Sequence, residues 1–369
     1  MKLARALLFL WLVGAYVLPC AAQERSARNH AGLHPVPDAG GKWGFIDRTG
    51  RFRIPPRYDG AGQFSEGVAY VWFWDDRQRR EGVVNTDGKF TALPETNEYA
   101  FIFRDGLARF QTPSGQERKY GYMDKTGRVV IAPQFHDAGH FSEGLAWVEV
   151  LREGKWLHGF IDKTGKVVIE PQFVYQPGDF VDGLAKVVGQ TAAGFIDREG
   201  KFRITVESEQ SGDFFSEGLL PVVQGDPPRG VYIDRDGRVA LEIPLWQNRT
   251  AHQRALYTIR RLQLAPFSEG LAPVLSFNKL GFMDKTGKVV IEPQFRETSG
   301  FSEGLAAVKI IGSEGHYVWG YIDRAGRFAV EPQFSQAQPF AGGLARVATA
   351  DGKEQLIDGT GKVIWQPRK

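Results

Sequence analysis

The sequence predicts an all-β fold: a tandem array of about nine short three-stranded antiparallel meanders. Three observations predict it. A seven-residue phrase recurs along the 369 residues, most clearly as Gly121-Tyr122-Met123-Asp124-Lys125-Thr126-Gly127, Gly159-Phe160-Ile161-Asp162-Lys163-Thr164-Gly165 and Gly281-Phe282-Met283-Asp284-Lys285-Thr286-Gly287. Copies recur at roughly 35–40 residues, the spacing of repeat bodies whose units each bury an apolar face on a neighbour. Finally, the chain carries 44 glycines and 20 prolines, many at fixed offsets within the repeat, as a succession of tight turns requires.

The chain starts outside that body. Lys2 and Arg5 precede the apolar run Ala6–Leu18 and the small residues Cys20-Ala21-Ala22. This is the layout of a secretory signal peptide cut after Ala22. Residues 1–22 are therefore assigned to the signal peptide, 23–31 to a linker and 32–369 to the repeat body. The apolar run is too short and wrongly flanked for a membrane span, so an exported location, periplasmic or extracellular, is expected. The alternative is a lipid anchor through Cys20, against which Val17 and Pro19 stand where that signal prefers other residues. Cys20 is the only cysteine. Without it the mature chain has no disulfide, and packing must carry its stability. Losing Lys2 and Arg5 takes the formal charge from +3 to +1. That speaks against nucleic acid as a partner, since phosphate neutralisation needs clustered Lys and Arg.

Within a unit, the first strand begins at Gly-Leu-Ala, as in Gly144-Leu145-Ala146-Trp147-Val148-Glu149-Val150. The second carries the recurrent phrase. Its acidic or amide position runs from Asp47 and Asn85 to Asp358, and a glycine follows three residues later in every copy, from Gly50 to Gly361. An Asp-x-x-Gly loop pairs a type I turn with a residue at positive φ, which glycine adopts without a Cβ penalty. The third strand follows at once, as in Lys166-Val167-Val168-Ile169. Proline recurs nine positions after the acidic residue in seven units, as at Pro56, Pro133, Pro171 and Pro293. It donates no hydrogen bond and is expected to end the third strand. The aromatic beside it (Tyr58, Phe135, Phe173, Phe295, Phe334) and the Phe of the next loop (Phe64, Phe141, Phe301, Phe340) are expected to plug the gap between units.

Both faces of each strand are apolar: Ala146, Val148 and Val150 share one, Leu145 and Trp147 the other. A half-exposed sheet would alternate more cleanly, so each sheet is expected to be covered on both sides. Nine whole units fit, with no split unit for one terminus to complete at the other. That favours an open, twisted solenoid-like array, with a closed β-propeller-like ring as the alternative. One departure is large. In Trp246–Pro266, Thr250-Ala251-His252-Gln253 has the form of a capping box. Ala251, Ala255, Leu256, Ile259 and Leu262 recur at helical spacing. A helical insertion over 246–266 is predicted. Arg254, Arg260 and Arg261 lie off its apolar stripe and are candidate partner-binding residues; the plainer reading is a tolerated loop insertion.

Reactive chemistry does not stand out. Asp-Lys-Thr-Gly resembles the phosphorylated loop of P-type ATPases, but it occurs three times and continues with Lys or Arg, so hairpin chemistry explains it. Ser-Glu-Gly recurs at Ser65, Ser142, Ser216, Ser268 and Ser302. One Glu per unit is thin for a calcium site, and turn-making is the better account. His136 and His140 flank Asp137 without a third His nearby, and read as a solvated pair rather than a zinc site. No catalytic constellation, metal site or cofactor is expected. Trp72 and Trp74 flank Phe73, so on a strand they share a face. They are candidate contacts for a sugar or peptide, with core packing as the alternative.

The consensus Lys-Trp-Gly-Phe-Ile-Asp-x-x-Gly, then Pro-x-Phe/Tyr, then Phe-Ser-Glu-Gly-Leu-Ala, resembles the WG-repeat family of bacterial proteins, and Lys42-Trp43-Gly44-Phe45-Ile46-Asp47 matches it fully. The Trp-Gly pair itself survives only at Trp43-Gly44 and Trp319-Gly320. The resemblance implies an all-β repeat body and supplies no catalytic residues. The function expected is a secreted or periplasmic non-enzymatic binding or scaffold surface for a protein or a cell-envelope glycan. The alternatives are a glycan-active enzyme and a purely structural envelope component.

Overall fold

The computed structural model describes residues 32–94, 102–112, 117–189, 192–206, 212–224, 229–243, 265–276, 279–313 and 315–367, and every regular element among them is a β-strand. The strands form nine separate antiparallel sheets in tandem, five of three strands and four of four, and no sheet closes on itself. Units are numbered here from their first-strand glycines, Gly32 to Gly343. In unit 4, Leu145–Arg152 pairs with Lys155–Asp162, which pairs with Val167–Phe173. The fourth strand, in units 2, 4, 8 and 9, was not expected. It is the approach to the first strand, at Gly60–Ser65, Asp137–Ala138, Glu297–Ser302 and Gln336–Ala337. The helix expected in 246–266, with Arg254, Arg260 and Arg261, lies outside the described residues except for Ala265 and Pro266.

The Asp-x-x-Gly hairpins form as expected. Asp162 Oδ1 accepts hydrogen bonds from the Thr164 amide (2.8 Å), the Thr164 hydroxyl (2.6 Å) and the Lys166 amide (3.1 Å), and Gly165 has φ +87°. The Thr164 hydroxyl, helped by those amides, holds the Asp162 carboxyl below its ordinary pKa. The glycine of the Trp-Gly position has a different cause. A Cβ on Gly159 would lie 2.5 Å from the Ile169 carbonyl oxygen, and one on Gly281 would lie 2.2 Å from that of Ile291. The third strand bulges against this glycine, and the register shifts there. The prolines sit elsewhere than expected. Pro133, Pro171, Pro293 and Pro332 do not end the third strand but lie within it, in the bulge. The ladder is already broken there, so a residue without an N–H leaves no donor stranded.

The core is not central but divided among the joints. Phe160, Ile169 and Phe173 of unit 4 pack on Phe180, Ala185 and Ile196 of unit 5, while Ile161 packs on unit 3. Each fully buried Phe or Ile contributes roughly 1.5–3 kcal/mol. The aromatic plugs are present: Tyr58 with Phe64, Phe135 with Phe141, Phe295 with Phe301 and Phe334 with Phe340 each lie in one joint core, and the loop Phe meets a second-strand ring edge-on, as in Phe282–Phe301 and Tyr321–Phe340, both at 4.8 Å. Among the described residues nine such cores exist for nine units, whereas an open array would have eight. The ninth joins Val36 and Ile46 of unit 1 to Leu344 and Leu356 of unit 9, with Ile364 and Trp365 against it. Gly50 abuts Ile364 as Gly200 abuts Ile169 and Gly326 abuts Ile291. His34 Nε2 stands 3.3 Å from the Gly342 carbonyl, and Arg346 Nη2 donates to the Pro35 carbonyl at 3.3 Å. Of the two arrangements the sequence left, the one whose ends meet is present. A closing contact needs complementary faces on the end units, not a shared unit.

Ser-Glu-Gly makes a two-residue turn, as expected, but it does more. Ser142, Ser216, Ser268 and Ser302 donate to the Phe180, Phe267, Phe301 and Phe340 carbonyls of the following unit, at 2.6–2.8 Å. Glu143 accepts from the Asp182 and Gly183 amides at 2.7 and 2.8 Å, and Glu303 does the same with Gly342 and Gly343. The motif is a latch between neighbours.

Candidate binding surface

In each sheet the latch turn and the glycine hairpin lie at one end, and the turn between first and second strands lies at the other. At that second end the hairpins of units 2, 4 and 8 run long. Their strands have six to eight residues, against four in units 1 and 5. The added length lifts side chains beyond the joint cores. Trp74 is 57% exposed and Trp156 42%, and Leu151, Ile311 and Tyr317 are also exposed.

Trp72 and Trp74 are separated in role. Trp72 lies against Gly60, where a Cβ would meet its Nε1 at 2.1 Å, and packs on the joint between units 2 and 3. Arg79 covers its ring at 4.8 Å and pairs with Glu81 at 2.9 Å. Glu81 also accepts from the Tyr70 hydroxyl at 2.8 Å, and burial pushes that phenol's pKa up. Trp74 is left at the solvent end of this stack. In unit 8, Lys309 lies 5.3 Å from the Tyr317 ring centre and 5.5 Å from that of Trp319, held by Glu297 at 2.9 Å. A cation over an aromatic face adds about 0.5–1 kcal/mol at exposed sites.

Unit 4 carries the densest polar group. The His136 ring stacks on Trp156 at 3.9 Å with an interplanar angle of 27°. Its Nδ1 meets Glu149 Oε2 at 2.5 Å, and His158 Nε2 lies 3.7 Å from Glu149 Oε1. The sequence reading missed this group. Its signal was the cross-strand register, which sets Glu149 opposite His158. His136 and His140 are not a solvated pair. His140 Nδ1 is sealed from solvent and has no hydrogen-bond partner among the described residues. Desolvation, then Arg104 and Arg109, push the His140 pKa down to about 3. Arg104 of unit 3 reaches Asp179 of unit 5 at 3.2 Å, so units two apart meet along this edge, which marks it as the inner one. Among the described residues no group of three or more His, Cys, Asp or Glu is placed to hold a metal ion, and no helix is long and apolar enough to cross a membrane.

Comparison with known proteins follows the repeat. A family model described as "WG containing repeat" matches residues 43–71, 120–156, 159–188, 194–226, 281–312 and 319–353, more than half of the chain. Among curated proteins none matches in sequence. Among solved structures, a eukaryotic initiation factor aligns over 90% of this chain and 94% of its own, at 12% identity and TM-score 0.42. BamB from Moraxella catarrhalis aligns over 88% and 93%, at 10% identity and TM-score 0.36. A prolyl endopeptidase aligns over 84% of this chain and 48% of its own, at 12% identity and TM-score 0.39. At these scores the likeness assigns nothing to this chain.

Proposed function

The chain belongs to the WG-repeat family, and on that footing we propose that it is an exported, non-enzymatic binding scaffold whose long-hairpin face docks a protein surface or a cell-envelope glycan. One observation carries the reading. Exposed aromatics on one face project from three well-separated units, Trp74, Trp156 and Tyr317, the second stacked on the His136 imidazole and the third beside the Lys309 ammonium. A flat apolar ring flanked by polar groups suits both ligand classes, because sugars and peptides present alternating apolar faces and hydroxyls or amides. Export rests on the signal-peptide layout of residues 1–22, with the Cys20 anchor as its variant. Arg254, Arg260 and Arg261 would extend the contact.

The test is capture from envelope extract and titration with soluble envelope polysaccharide, using Trp74→Ala, Trp156→Ala, Tyr317→Ala and their combination. Each single change should weaken binding roughly two- to tenfold, and the triple variant should lose it. Undiminished capture by the triple variant would sink the reading. For the arginines, substitution is preferred to deletion, because the Ala265 carbonyl accepts from the Tyr232 hydroxyl at 2.8 Å.

A further inference from the structure

We propose that the joint between unit 9 and unit 1 is a recognition site for a carboxylate presented by an acidic peptide. The other joints show what such a site looks like when filled from within. Glu66, Asp105, Glu143, Glu217, Glu269 and Glu303 each accept from backbone amides at the start of the next unit. The hairpin of that next unit often adds a cation. Lys125 meets Glu66 at 3.2 Å, Lys285 meets Glu217 at 2.8 Å and Arg235 meets Asp182 at 3.1 Å.

At the closing joint the receiving half is present and the carboxylate is missing. Ala341 and Gly342 stand where units 2, 4, 6, 7 and 8 have Ser and Glu, and units 3 and 5 an Asp at the second position. Gly342 keeps the left-handed turn, at φ +63° beside +50° to +55° for the acidic residues. The Gly342 and Gly343 amides are occupied by Glu303 of unit 8, so unit 9 is latched backward and passes nothing forward. On the receiving side, Arg48 of unit 1 lies against Gly343, as Arg198 lies against Gly144 and Arg324 against Gly270. Arg48 has no ion-pair or hydrogen-bond partner among the described residues. Gly32 supplies the amide position.

Space for a ligand adjoins these groups. A shallow depression of about 500 Å³ is lined by Gly32, Arg48, Arg53, Thr86 and Asp87, between the hairpins of units 1 and 2. The acidic position of unit 1 is Ala31, so two successive joints lack a carboxylate of their own. Asp47 and Asp87 also border the depression, matched in formal charge by Arg48 and Arg53, and Asp47 Oδ1 is taken by Thr49.

The experiment is fluorescence anisotropy on the full chain with three labelled pentapeptides. One is pentaglutamate with both ends blocked, the second is pentaglutamine with both ends blocked, and the third is pentaglutamine with a free carboxyl end. One or both carboxylate peptides should bind roughly tenfold or more tighter than the fully blocked pentaglutamine. The stronger of the two identifies the source as side chain or terminus. Gly342→Glu should abolish that binding, because it installs the missing latch. Arg48→Gln, at an exposed position that tolerates change, should weaken binding roughly tenfold. Trp156→Ala should leave it unchanged, which separates this site from the hairpin face. Equal binding of all three peptides, or binding unaltered in both Gly342→Glu and Arg48→Gln, overturns the proposal.

Discussion

An acidic residue at positive φ is a strained choice, and Glu66, Asp105, Glu143, Asp182, Glu217, Glu269 and Glu303 all make it. The conformation costs about 1–3 kcal/mol for a non-glycine residue. A charge-assisted bond to the neighbouring amide contributes about 1.5–3 kcal/mol, enough to offset that cost. Glycine or asparagine would relax the turn and lose the latch. An unfolded histidine takes its proton near pH 6.5, whereas folded His140 does so only near 3. Between those values the unfolded chain binds the extra proton, so stability falls as pH drops, by up to about 1.4 kcal/mol per pH unit. The depressed hairpin carboxylates, such as Asp162, lose their contribution only below about pH 4. Urea unfolding between pH 6.5 and 4.5 therefore isolates His140. His140→Gln should flatten the slope there, and an unchanged slope would place its origin elsewhere.

At the scale of the element, the hairpin was legible because its requirements are local. Asp162 and Gly165 sit within one turn, and no distant residue is needed to explain either. The proline was misread because its reason lies across the sheet. Pro293 follows the Ile291 carbonyl into the bulge that packs on Gly281, and only the paired register reveals that the ladder is already interrupted there. Pro293→Ala should accordingly destabilise the protein by about 1–2 kcal/mol in urea unfolding. The change adds an amide without a partner and loosens the unfolded chain. A neutral or stabilising result would mean that the bulge can accommodate a donor. The long hairpins of units 2, 4 and 8 fall between these cases. Trp72 and Trp74 share a face as the two-residue period requires, but which ring is buried depends on Gly60, a residue of the preceding approach strand.

For the whole molecule, a period of repeats announced that every unit has neighbours and left open whether the last is neighbour to the first. The ninth core, around Val36 and Leu356, has no aromatic pair across it among the described residues, and Ala341 brings no hydroxyl. It is thus the least supported joint. Hydrogen exchange should be faster in His34–Pro37 and Glu354–Ile357 than in Leu145–Arg152 and Lys155–Asp162. Equal protection would show that closure is as firm as any other contact. The seam also has a history in time. His34 and Gly342 are separated by 308 positions, so unit 1 waits for unit 9 before one of its oily flanks is covered. Each later sheet finds a ready-made mate on emergence. Unit 1 alone stays half-clothed until unit 9 has folded, and that interval is when an errant pairing with another incompletely folded copy would be easiest.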